Sequence, residues 1–136
     1  MSYAGDVTPT EAYAAVTQND GGVLVDVRTG AEWAYVGVPQ LDSPHSLVLV
    51  EWQRYPDGSI NDRFVDELRA AQVAEGTPLY FLCRSGVRSI AAARAATAAG
   101  LGPAYNVLEG FEGPHDVEGH RTLAGWKVAG LPWKQG

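Results

Sequence analysis

The chain predicts an α/β domain, a parallel β-sheet flanked by helices on both faces, and three observations carry that prediction. First, Val23-Leu24-Val25-Asp26-Val27, Leu47-Val48-Leu49-Val50 and Leu79-Tyr80-Phe81-Leu82 are short apolar runs of the kind found in strands buried on both faces. Second, segments with helix start and stop signals alternate with these runs, and alternation of strands and helices implies parallel pairing. Third, no repeat, low-complexity stretch or linker interrupts the order, so residues 1–136 read as one domain.

Each element has a local reason. Thr8-Pro9-Thr10-Glu11 has capping-box spacing with proline at the first helical position, which predicts a helix over 9–17. Asn19-Asp20-Gly21-Gly22 is a turn cluster that delivers the chain into the first strand. A short helix is predicted over 30–34, and the second strand follows at 47–50. Asn61 is placed to cap a helix over 62–73. Thr77-Pro78 leads into the third strand, which ends at Leu82. The alanine-rich segment 89–99 forms the next helix and stops at Gly100-Leu101-Gly102. Residues 104–108 are a fourth strand, and the remainder reads as loop with a short helix near 123–129.

Composition narrows the function. With 46% apolar residues the chain can bury a real core, and no run approaches the ~18 apolar residues of a membrane span. Met1-Ser2-Tyr3-Ala4-Gly5-Asp6 has neither the basic nor the apolar region of a secretory signal, so a cytoplasmic location is expected. The single cysteine excludes an internal disulfide and suits a reducing compartment. A net charge of -6 argues against nucleic acid or anionic membrane as partners. His45, His115 and His120 lack zinc-ligand spacing, so no metal site and no cofactor are expected.

Cys83 is the residue on which the chemistry turns. Free cysteines are commonly buried and inert, but this one opens Cys83-Arg84-Ser85-Gly86-Val87-Arg88-Ser89, between an apolar strand and a helix. A thiol so placed faces the positive end of a helix dipole and backbone N–H groups with no partner inside the helix. With Arg84 and Arg88 nearby, that setting favours the nucleophilic thiolate. The two arginines make a local positive spot on an acidic body, which points to a small anionic ligand. In open parallel sheets ligands bind beyond the carboxyl ends of the strands, where Cys83 falls. Asp26 and Arg28, at another strand end, are expected to pair and hold loops, and Trp33, Trp52, Trp126 and Trp133 to fill core or pocket wall.

The Cys83 to Ser89 loop after an apolar strand resembles the active-site loop of single-domain rhodaneses, the thiosulfate sulfurtransferases. Leu24-Val25-Asp26-Val27-Arg28 with Glu32-Trp33 resembles the family's N-terminal signature. Leu108-Glu109-Gly110-Phe111 with Gly125-Trp126 and Gly130-Leu131-Pro132 resembles its C-terminal one. The family's usual Gly-His-Ile-Pro-Gly-Ala-like turn is replaced here by the longer Gly37-Val38-Pro39-Gln40-Leu41-Asp42-Ser43-Pro44-His45, and 112–122 is also extended. The resemblance implies a rhodanese-like sheet and a catalytic Cys83 that attacks the sulfane sulfur of thiosulfate or a similar donor. The resulting persulfide passes to a thiol or cyanide, or to a protein acceptor. Arg84, Ser85, Gly86, Val87, Arg88 and Ser89 are then the substrate-binding residues, their amides ringing the sulfur, with Arg88 as the inner-ring cation and Arg84 toward the mouth.

Two other readings stand beside it. One is a binding module, or a sulfur-sensing or carrier module, that uses the loop without catalysis. The other is phosphatase-type oxyanion chemistry, which the Cys-x4-Arg spacing disfavours, because cysteine phosphatases carry Cys-x5-Arg and need the wider ring.

Overall fold

The computed structural model describes residues 3–18, 22–35, 37–39, 47–53, 59–71, 76–83, 87–108, 110, 111, 126, 129 and 131–134. In chain order the elements are β1 (Gly5–Val7), α1 (Pro9–Gln18), β2 (Val23–Asp26), α2 (Gly30–Tyr35), β3 (Val38–Pro39), β4 (Leu47–Leu49), α3 (Phe64–Ala70), β5 (Leu79–Leu82), α4 (Val87–Ala98), β6 (Ala104–Val107) and β7 (Trp133–Lys134).

Five strands form one sheet in the order β1-β6-β5-β2-β4, every pair parallel. β5 is central. From β2 the chain moves outward to β4 on one side, and from β5 it moves to β6 on the other, so the order reverses between β2 and β5. Their carboxyl ends diverge there and leave the crevice where such sheets bind ligands.

Alternation along the strands sorts the core into two layers. Val25, Val27, Leu79, Phe81 and Cys83 face Phe64 and Leu68 of α3 and Ala92, Ala93 and Ala96 of α4. Leu24, Leu82 and Val107 face Ala12 and Val16 of α1 together with Phe111 and Trp126. The small alanine face lets α4 lie close on β5 and β6, bringing its first turn to the end of β5.

Local signals explain most boundaries. The Thr8 amide donates to Glu11 Oε1 at 2.8 Å and the Glu11 amide to Thr8 Oγ1 at 3.1 Å, the capping box expected before α1. α4 ends where Gly100 takes a φ of 82° and the Leu101 amide reaches back to the Ala96 carbonyl at 2.9 Å, a Schellman closure. α3 starts two residues later than the sequence predicts. Asn61 does not cap it directly; it accepts from the Arg63 amide in a turn and donates to the Glu51 carbonyl and the Glu67 carboxylate. Residues 72–75 and most of the helix expected near 123–129 lie outside the described residues.

Three strands lack a legible local signal. β1 is a three-residue edge strand held by pairing with β6, and β3 and β7 form an antiparallel pair, Val38 opposite Lys134 and Pro39 opposite Trp133.

Candidate active site

Cys83 follows β5 directly. Its Sγ lies 3.3 Å from Ser89 Oγ in the first turn of α4, and its carbonyl accepts from the Phe111 amide at 2.8 Å. The residue is almost fully buried, at 1% exposure. α4 is twelve residues long and opens at Val87, so its N-terminal amides and dipole lie four residues beyond the thiol. Of the expected binding residues, Cys83, Val87, Arg88 and Ser89 fall at this strand-to-helix junction. Arg84, Ser85 and Gly86, and the Val87 side chain, lie outside the described residues, as do His45, His115 and His120.

Ser89 is buried and donates to Asn106 Oδ1 at 2.5 Å, while Asn106 Nδ2 donates to Asp6 Oδ1 at 3.1 Å. A hydrogen-bonded line therefore runs from β1 through β6 to the sulfur. Neither Asp6 nor Asn106 was marked by the sequence, since their neighbours are set by strand pairing alone.

Arg88 does not stand free. Its Nη1 and Nη2 donate to Glu32 Oε1 and Oε2 at 2.7 and 2.9 Å, a bidentate pair with side chains 21% and 16% exposed. Glu32 also accepts from the Thr29 amide and Thr29 Oγ1, both at 3.1 Å, as the fourth residue of a capping box that begins α2. Burial pulls the Glu32 carboxyl upward, but hydrogen bonds from Arg88 and Thr29 and the charge of Arg88 overcome it and lower the carboxyl to about 2. Arg88 is raised in turn, chiefly by its hydrogen bond to Glu32, with burial opposing and the charges of Glu32, Cys83 and Asp26 adding. The Thr29-x-x-Glu32 capping spacing, which was not singled out from the sequence, is the local signal that marks Glu32; no local signal marks its bond to Arg88, 56 positions away.

Asp26 and Arg28 pair as expected. Arg28 Nε and Nη2 donate to Asp26 Oδ1 and Oδ2 at 2.9 and 2.7 Å, and both residues are fully buried. Nη2 also donates to the Gly37 carbonyl at 2.6 Å, and the guanidinium lies 4.2 Å from the Phe111 ring centroid. Gly37 takes a φ of 113°, a backbone that L side chains rarely adopt, at the point where its carbonyl meets Arg28. The pair therefore ties three loops beside the sulfur and offers no exposed charge. Trp126 is fully buried, its indole donating to the Pro132 carbonyl at 2.8 Å, and Trp52 packs edge-on to Phe64.

No group of three potential metal ligands occurs among the described residues, and no described helix is long and apolar enough to cross a membrane.

Comparison with known proteins agrees with this geometry. The profile of the Rhodanese-like domain family matches residues 8–115. An uncharacterized protein of Rickettsia conorii, RC0915, is 37% identical over 133 residues, covering 95% of this chain and 96% of its own. The crystal structure of Rv0390 from M. tuberculosis superposes with a TM-score of 0.91 at 55% identity, over 99% of this chain and 100% of that one. The polysulfide-sulfur transferase homodimer from Wolinella succinogenes shares the fold, with a TM-score of 0.64 at 19% identity over 96% of this chain and 78% of that one.

Proposed function

This chain belongs to the rhodanese-like domain family, and from that premise we propose that it is a sulfurtransferase carrying sulfane sulfur as a persulfide on Cys83. The donor is thiosulfate or a molecule of similar chemistry, and the acceptor is a thiol or cyanide. One observation carries the reading: the Cys83 sulfur lies at the carboxyl end of the central strand, beside the order reversal, with Ser89 of the α4 first turn 3.3 Å away.

In the first step the Cys83 thiolate attacks the outer sulfur of the donor. A new S–S bond forms to Cys83, the donor's own S–S bond breaks, and its electron pair leaves on sulfite. In the second step the acceptor attacks the terminal sulfur and returns Cys83 as thiolate. This is covalent catalysis with ping-pong kinetics, and it needs no general base once the thiol is ionised. The first-turn amides of α4, which opens at Val87, and the helix dipole favour the charged sulfur of the persulfide. The near-complete burial of Cys83 suits donors and acceptors with a slim reacting end.

The test is intact mass after incubation with thiosulfate or an alkyl persulfide. The protein is expected to gain one sulfur atom and to lose it to cyanide. Cys83→Ser should fold and take up none, because a serine hydroxyl cannot hold the sulfur. An unloaded protein with both donors would overturn the reading in favour of a recognition module.

A further inference from the structure

Among the described residues, the two arginines at the active-site end are each paired with a carboxylate. Arg28 is spent on Asp26, both fully buried, and Arg88 is spent on Glu32 in a bidentate contact. These four residues sum to zero before the thiolate is counted, on a chain of net charge -6. Thiosulfate brings two negative charges and expels a sulfite that keeps them. To use Arg88, its sulfonate has to share a guanidinium whose charge is already balanced, through hydrogen bonds of 2.7 and 2.9 Å, by a carboxylate that Thr29 also anchors. An alkyl persulfide makes no such demand, because its leaving group is a thiolate with one charge.

Resting on the sulfur-transfer reading, we propose that Glu32 is a specificity-determining residue: by cancelling Arg88 it favours alkyl persulfide donors over dianionic thiosulfate. The favoured step balances without an added oxidant. The Cys83 thiolate attacks the outer sulfur of R–S–SH, the donor S–S bond breaks, and R–S⁻ departs with the electron pair, leaving Cys83–S–SH. Glu32 acts through Arg88 and touches no reacting atom. The pair is mostly shielded from solvent, so salt screens it less than an exposed pair.

The experiment measures the rate at which Cys83 gains one sulfur, by intact mass, with thiosulfate and with cysteine persulfide as separate donors. Glu32→Gln keeps an oxygen acceptor for Thr29, so α2 stays capped. It frees the Arg88 charge, and thiosulfate loading should rise about tenfold or more, within the range by which local charge alters encounter with an ion. Persulfide loading should change little, so the ratio of the two rates moves. Loss of structure alone would slow both donors together and leave the ratio where it was. The double variant Glu32→Gln with Arg88→Gln removes both charges and should return the ratio to that of the unmodified protein. A ratio unchanged in Glu32→Gln, or one still shifted in the double variant, overturns the inference while the sulfur-transfer reading stands. Absence of any adduct from either donor on the unmodified protein overturns both.

Discussion

Ser89 has one hydroxyl proton and two neighbours within reach of it. The choice is made at Asp6, whose carboxylate can only accept and therefore draws Asn106 Nδ2 toward itself. Asn106 Oδ1 then faces Ser89 and takes its proton, which leaves a lone pair of Ser89 Oγ toward the Cys83 sulfur. A thiol at Cys83 can donate to that lone pair, so the serine orients the sulfur. Ser89→Ala would strip the buried Asn106 Oδ1 of this donor, and an orphaned buried acceptor costs about 1–3 kcal/mol. Urea unfolding should show a loss of that size. Combining it with Asn106→Leu should cost less than the two single changes added together, because the second removes the group that the first orphans. Strict additivity would mean that the bond contributes nothing.

At the scale of elements, the Glu32 carboxylate joins the start of α2 to the first turn of α4. It closes the α2 capping box and grips Arg88. Its carboxyl is lowered from 4.5 to about 2 in the fold, so the unfolded chain takes up the proton first. The stabilisation is therefore fully present above about pH 4.5 and is lost as pH falls through about 2. The difference in unfolding free energy between the unmodified protein and Glu32→Gln should shrink over that window, with other carboxylates cancelling in the comparison. A difference that stays constant from pH 6 to pH 2 would show that the latch adds no stability. Salt should narrow the difference only modestly, since the pair is mostly shielded.

The whole molecule is a parallel sheet whose two edges, β1 and β4, are three residues each, short enough to discourage pairing with another chain. Its second, two-stranded sheet brings residues near 38 and 133 together, beside the active-site end. Trp133 meets the Phe111 ring edge-on at 6.0 Å, and the Phe111 amide holds the Cys83 carbonyl. The C-terminal strand thus braces the loop that braces the nucleophile. Trp133→Ala should lower the unfolding free energy measured in urea, and with it the midpoint, by the lost burial plus roughly 0.5–1.5 kcal/mol for the aromatic pair. An unchanged midpoint would place β7 outside the cooperative unit.

The sequence by itself determined the class of fold, the strands β2, β4, β5 and β6, the capping of α1, and the glycine stop after α4. It also put Cys83 at a strand-to-helix junction and paired Asp26 with Arg28. All of these rest on interactions within a few residues: hydrophobic runs, capping spacing, left-handed turns and an i, i+2 contact at one strand end. Tertiary structure decided the rest. β1, β3 and β7 are too short to carry a pattern and exist only where distant backbone supplies their partners. Asp6 and Asn106 reach the sulfur because parallel register sets them side by side, 100 positions apart in the chain. Arg88, read from the loop as a cation for an anionic donor, is held by Glu32 from the first turn of α2. Charge compensation acts through space, and no local pattern records which carboxylate the fold will bring to an arginine.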